Sequence, residues 1–132
     1  MRLLLDTCTF IWLSIDPQQI PHNTYATILD GDSEVLLSPA VAWEIAIKTN
    51  RHGTSALQIA GTPEQFVAEA ISAYRLTVLP IAMNHALKVA SFEQHHRDPF
   101  DRMLIAQALV EDIPIAAPDP AFAPYGVKLL WS

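Results

Sequence analysis

The chain has 132 residues, a length that suits one domain with its own core. Hydrophobic residues make up 51% of it and charged residues 17%, which favours a folded globular domain over a disordered one. The net charge of −6 argues against broad electrostatic binding of nucleic acid, although acids that hold metal cations are still compatible with a nuclease.

The N-terminal apolar run ends at Asp6, which makes it too short for the core of a secretory signal. No apolar run approaches the roughly 20 residues that cross a bilayer. Cys8 is the only cysteine, so an intrachain disulfide is excluded and a cytoplasmic protein is favoured. We therefore expect one cytoplasmic domain over residues 1–132, with no membrane contact.

Short, continuously apolar segments alternate with helical segments along the chain. The predicted strands are 2–5, 35–37, 76–81, 113–117 and 127–131. The predicted helices are 9–13, 23–29, 40–48, 63–74 and 85–91, with a further one starting at Pro99. Thr62 and Gln65 have the spacing of a capping box before the fourth of these helices. This pattern predicts an α/β domain with a parallel sheet covered on both faces.

Two acidic residues follow predicted strands directly. Asp6 ends the first strand, and Asp119 comes just after the fourth, before Pro120. Ligands of open parallel sheets bind beyond the carboxyl ends of the strands, so both acids are candidates for a site. Each could equally be a helix N-cap.

Glu44 lies inside the apolar segment from Val41 to Ile47. A carboxylate carried into a core needs a partner or a metal ion. One alternative is an ion pair with Lys48 at the favourable i,i+4 spacing.

Asp98 and Pro99 have the form of an N-cap followed by proline at the first helical position. Asp101 then lies in the first turn of that helix. Its simplest role is a favourable interaction with the helix dipole. Together with Asp6, Glu44 and Asp119, however, it suggests a shared carboxylate pocket. Such a pocket needs a hard cation, Mg²⁺ or Mn²⁺, and the natural chemistry is phosphodiester hydrolysis by a metal-activated water.

Several segments resemble the PIN domain, and in particular the VapC-type toxins of toxin–antitoxin pairs. The similar segments are Asp6-Thr7, 38–48 (SPAVAWEIAIK), 96–108 (HRDPFDRMLIAQA), 119–122 (DPAF) and 125–131. The resemblance implies a sheet ordered 3-2-1-4-5, a Mg²⁺- or Mn²⁺-dependent endoribonuclease, a cognate VapB-type antitoxin and a homodimer. It also implies that Asp6 and Asp101 ligate the metal directly, while Glu44 and Asp119 ligate it or hold its water.

Two positions depart from the pattern of these toxins. Position 8, often histidine in such sequences, is Cys8 here. A hydroxyl residue commonly stands two positions before the last acid, where this chain has Ala117. The second difference removes a hydroxyl from the pocket and bears on the role of Asp119 and on catalytic strength.

Two arginines near the acids, Arg97 and Arg102, are candidates for contacts with RNA phosphate, because arginine suits bidentate phosphate recognition. The alternative is that both are solvated side chains around a helix start. His95 and His96 suggest a zinc site only weakly, since adjacent residues rarely bind one ion and a cysteine partner is missing.

Two other functions compete with the ribonuclease. A PIN-like module with weak or lost turnover would bind RNA or a protein without cleaving. A phosphotransfer domain also gathers acids at strand ends, but Asp6-Thr7-Cys8 lacks the second acid of an Asp-x-Asp nucleophile motif. The positions of the glycines exclude a P-loop and a dinucleotide-binding fingerprint.

Overall fold

A computed structural model describes residues 1–49, 57–92 and 98–132. Its sheet contains five parallel strands in the order β3-β2-β1-β4-β5. The strands are β1 (Arg2–Leu5), β2 (Glu34–Leu37), β3 (Thr77–Val78), β4 (Ile115–Ala116) and β5 (Leu129–Leu130). The predicted fold class and the strand order implied by the resemblance are both confirmed.

Six α-helices lie within the described ranges. They are α1 (Thr7–Ile15), α2 (His22–Leu29), α3 (Pro39–Thr49), α4 (Pro63–Tyr74), α5 (Met83–Ala90) and α6 (Pro99–Glu111). Two 3-10 segments, Pro17–Gln19 and Pro120–Tyr125, complete the described helical structure. Helix α3 packs against α1, α4 and α6, and α6 also packs against α5. None of these helices has the length and apolar character that crossing a membrane requires.

The central strand β1 forms the middle of the core. Leu3, Leu4 and Leu5 are fully buried, and Leu4 pairs with Leu36 on one side and with Ile115 on the other. Burial on both faces explains why the strand is a continuous apolar run rather than an alternating one. Strands β1 and β4 are parallel neighbours, so their carboxyl ends lie at the same edge of this core.

The third strand is shorter than the predicted segment 76–81. Only Thr77 and Val78 form strand pairs, and Leu79 adds one hydrogen bond from its N–H to the Leu37 carbonyl. Pro80 has no N–H to continue the ladder, and edge strands commonly end in this way. The fourth and fifth strands are also shorter than predicted, with two residues each.

Helix α3 presents one large apolar side chain to solvent. The helix is apolar on nearly every side, and Trp43 is 62% exposed. Its indole packs edge-to-face against the Phe100 ring of α6, with the ring centroids 5.0 Å apart. The buried side of α3 carries Val41, Glu44 and Ile45 instead.

Thr9 ties the start of α1 to the end of β4. Its buried hydroxyl donates a 2.8 Å hydrogen bond to the Ala116 carbonyl, which also accepts the N–H of Asp6 at 3.2 Å. This double contact holds the first turn of α1 against the carboxyl edge of the sheet.

We expect Thr9→Val to lower the free energy of unfolding by about 1 kcal/mol, since one buried hydrogen bond is lost while the carbonyl keeps its second donor. Thr27→Val is the matched control, because the Thr27 hydroxyl makes its bond to the Asn23 carbonyl at the surface. Urea unfolding of both variants measures the difference. Equal losses in the two variants would contradict the role of Thr9.

Candidate active site

A cavity of about 430 Å³ lies at the carboxyl edge of the sheet. All four predicted acids, Asp6, Glu44, Asp101 and Asp119, line it, together with Asp98. The other lining residues are Thr7, Cys8, Ile11, Trp12, Lys48 and Pro118. The parallel topology explains the convergence, because β1 and β4 are neighbours and end on the same side.

Three of the acids are also N-caps. The N–H groups of Thr9, Phe100 and Ala121 donate to Oδ1 of Asp6, Asp98 and Asp119, at 2.8, 2.9 and 2.9 Å. These contacts open α1, α6 and the 3-10 segment from Pro120. The sequence left capping and site membership as alternatives for Asp6 and Asp119. In the structure each residue does both: it caps a helical segment and lines the cavity.

Glu44 is only 5% exposed and is held at both oxygens. The Thr7 hydroxyl donates to its Oε1 at 2.6 Å, and Lys48 Nζ lies 2.7 Å from its Oε2. The i,i+4 ion pair raised as an alternative therefore exists. It does not remove Glu44 from the site, since both partners of the pair line the cavity.

Asp98 is the residue that sequence reasoning missed as a member of the acid cluster. Glu44, Asp98 and Asp101 each present one carboxylate oxygen, and these three atoms lie within 4.8 Å of one another. The sequence predicts only a capping role for Asp98; the structure confirms the cap and also places Asp98 in the acid cluster. Its i,i+3 spacing from Asp101 at a helix start, which puts the two on one face, was the available signal.

Burial and mutual repulsion raise the pKa values of two acids. The pKa of Asp6 rises to about 6, mainly through burial, with hydrogen bonds from Thr9 lowering it and the charges of Glu44 and Asp119 raising it further. The pKa of Asp101 rises to about 8, again mainly through burial, and then through the charges of the neighbouring acids, Asp98 first. A bound cation would relieve both effects.

The donor set fits a hard divalent cation. The ligands available are carboxylate oxygens, which Mg²⁺ and Mn²⁺ prefer. Burial and the charge of Asp6 raise the pKa of the Cys8 thiol to about 11, so Cys8 is protonated near neutral pH and is a poor ligand or nucleophile. Among the described lining residues there is no histidine, and His95 and His96 of the zinc alternative lie outside the described residues.

Only one of the two arginines predicted to contact RNA phosphate lies within the described residues. Arg97 lies outside the described residues. Arg102, in the first turn of α6, is not among the described residues that line the cavity. Its Nε is buried and has no hydrogen-bond partner within the described part of the chain. Its role toward RNA stays a prediction. Lys48 is the described cation that does line the cavity.

Comparison with known proteins identifies the family. The PIN domain model matches residues 3–128, so the chain belongs to the PIN domain family. No curated protein matches the sequence.

Solved structures that share the fold include VapBC2, VapBC-1 and FitAcB. VapBC2 from Rickettsia felis, bound to a DNA fragment from its promoter, aligns with a TM-score of 0.71 at 12% identity, over 100% of both chains. VapBC-1 from nontypeable Haemophilus influenzae aligns with a TM-score of 0.67 at 13% identity, over 98% of this chain and 97% of the other. FitAcB from Neisseria gonorrhoeae aligns with a TM-score of 0.62 at 22% identity, over 97% of this chain and 96% of the other. At these identities the likeness concerns the fold.

The raised pKa of Asp101 predicts how its replacement changes stability with pH. The pKa is about 8 in the folded protein against an ordinary value of 3.8. Between these two pH values, the Asp101 carboxyl is protonated in the folded protein and ionised in the unfolded chain. Ionisation of Asp101 therefore opposes folding at high pH, and this cost disappears as the pH falls through that window. We expect metal-free Asp101→Asn to be more stable than wild type by about 2 kcal/mol at about pH 9, and by much less at about pH 5.

The control is Asp112→Asn at the other end of α6, an exposed position with φ of 54° that asparagine tolerates. Thermal unfolding in EDTA across this pH range measures both variants against wild type. A difference for Asp101→Asn that is constant with pH would show that its carboxyl is not perturbed.

Proposed function

We propose that this protein is a metal-dependent endoribonuclease, the VapC-type toxin of a toxin–antitoxin module, which hydrolyses RNA phosphodiester bonds. The observation that carries the proposal is the meeting of five carboxylates at one cavity on the carboxyl edge of a PIN-family sheet. Capping alone would account for Asp6, Asp98 and Asp119, but it does not account for a buried Glu44 at the same place.

The cofactor we propose is Mg²⁺ or Mn²⁺. Asp6, Glu44, Asp101 and Asp119 are the proposed ligands, and Asp98 joins them because of its distance from Glu44 and Asp101. When bound, such a cation activates water for attack on the phosphodiester and offsets charge on the phosphate oxygens.

The protein's own groups prepare this site. The Thr7 hydroxyl orients Glu44, and the backbone N–H groups at three helix starts hold Asp6, Asp98 and Asp119 in fixed positions. The positive ends of these helix dipoles also reduce the repulsion among the carboxylates. Without a cation the cavity still carries an excess of negative charge that repels RNA, so cleavage should depend strictly on metal.

We further propose that the protein acts in the cytoplasm, forms a homodimer and is inhibited by a VapB-type antitoxin. Support comes from the fold, which it shares with chains solved as VapBC systems. Large apolar side chains at the surface, including Trp43, Met83 and Leu87, favour contacts with other proteins.

Metal binding is expected to raise the melting temperature. A ligand present at 100 times its dissociation constant stabilises the folded state by about 2.7 kcal/mol. Mn²⁺ should therefore shift the melting temperature of wild type upward by several degrees, and Asp101→Asn should show little of this shift. Differential scanning fluorimetry with Mn²⁺ against EDTA measures it, with Asp112→Asn as the control. The same shift in Asp101→Asn and wild type would contradict the proposed ligand set.

Cleavage of RNA tests the function itself. We expect purified protein to cut RNA with Mg²⁺ or Mn²⁺ but not with EDTA, and Asp6→Asn and Asp101→Asn each to lose activity about 100-fold or more. Asparagine is as good an N-cap as aspartate, so Asp6→Asn keeps the start of α1 and removes only the charge.

Structured and unstructured RNAs are incubated with each variant, and the products are separated on denaturing gels. Metal-dependent Tm shifts without cleavage of any RNA would favour the catalytically weak or inactive PIN-like binding module. Equal activity in wild type and both variants would point to a contaminating nuclease.

A further inference from the structure

We infer that Lys48 has two alternating partners: it neutralises Glu44 when no metal is bound, and it contacts RNA phosphate when metal is bound. The inference rests on the proposed function and extends it to a residue outside the acid cluster.

Lys48 lies between the buried acid and solvent. Its Nζ is 2.7 Å from Glu44 Oε2, and its side chain is 43% exposed, against 6% for the side chain of Glu44. The ammonium group therefore stands at the mouth of the cavity, in contact with the acid on one side and water on the other. Lysine suits such a place because its flexible stem carries a compact charge with three donors that can turn toward another acceptor.

The pair with Lys48 conflicts with a divalent cation on the same carboxylate. Glu44 contributes one of the three carboxylate oxygens that lie within 4.8 Å of one another. Its Oε1 already accepts the Thr7 hydroxyl, and its Oε2 is paired with Lys48. A doubly charged ion in this cluster repels the ammonium at such distances, because a partly buried site screens charge less than bulk water does.

Release from Glu44 leaves the ammonium at the entrance through which RNA must approach the acids. With the carboxylates bound to metal, a phosphate of the incoming RNA is the anion that can pair with the Lys48 ammonium. Lysine is a good phosphate ligand as a point charge. The same side chain thus stabilises the metal-free site and favours RNA once the site is loaded.

Metal affinity is the decisive measurement, because a purely structural ion pair predicts the opposite sign. Loss of a structural pair would disorder Glu44 and weaken Mn²⁺ binding. On our inference Lys48 competes with Mn²⁺, so Lys48→Gln should bind Mn²⁺ about 3-fold or more tightly than wild type. Its metal-free melting temperature should fall, and its Mn²⁺-induced gain should exceed that of wild type. Electron paramagnetic resonance of free Mn²⁺ gives the affinity without any cleavage assay.

Binding of RNA tests the second partner. A fluorescein-labelled RNA oligonucleotide in Ca²⁺ is the probe, read by anisotropy over a range of salt concentrations. Lys48→Gln should bind about 5-fold more weakly, with a salt slope reduced by about one phosphate contact. Lys48→Arg should restore both RNA binding and wild-type Mn²⁺ affinity. Lys88→Gln, at the last turn of α5 and away from the cavity, is the matched control.

The outcomes separate this inference from the proposed function. Unchanged or weaker Mn²⁺ binding by Lys48→Gln, with wild type still cleaving RNA, would overturn the inference alone. Unchanged RNA binding by Lys48→Gln, or no RNA binding by wild type, would overturn the phosphate contact. Failure of wild type to bind Mn²⁺ would overturn the proposed function and the inference together.

Discussion

The structure depends on holding several negative charges close together at the end of a parallel sheet. Asp6, Asp98 and Asp119 each accept a backbone N–H at the start of a helical segment, and Glu44 is held by Thr7 and Lys48. Lys48 offsets the charge of Glu44, but burial and the neighbouring acids still raise the pKa values of Asp6 and Asp101. The site is therefore built in a state that a cation stabilises.

The strand order and the packing of two helices bring these acids together. Strands β1 and β4 are neighbours, so the acids that follow them lie side by side. Helices α3 and α6 pack against each other, which brings Glu44 to the acids at the start of α6. Each helix start offers backbone donors and a favourable dipole to an acid. Capping and the proposed metal binding thus share Asp6, Asp98 and Asp119, which couples the stability of these helical segments to the geometry of the site.

Individual residues show where prediction from sequence succeeds and where it stops. The acids at strand ends and helix starts were predictable because local patterns place them. Trp43 lies at the surface, and the sequence does not predict this, because a helical pattern that is apolar all round does not say which side meets the sheet. Asp98 was recognised as a cap, but its nearness to Glu44 depends on how α3 and α6 pack, which spacing along the chain does not encode. The predicted lengths of strands β3, β4 and β5 are too long, because an apolar run continues past the last hydrogen bond between strands.

The sequence by itself determined the α/β class, the alternation of strands and helices, the capping residues and the four candidate acids, because these follow from short-range periodicity and residue chemistry. The strand order came with the family resemblance and not from the pattern. Only the tertiary structure decided that the acids share one cavity with Asp98, that Lys48 pairs with Glu44 there, and that Arg102 does not line its described wall. The cavity joins residues that are far apart in the chain, because packing of whole helices against the sheet sets its walls, and the local Lys48–Glu44 pair lies within it.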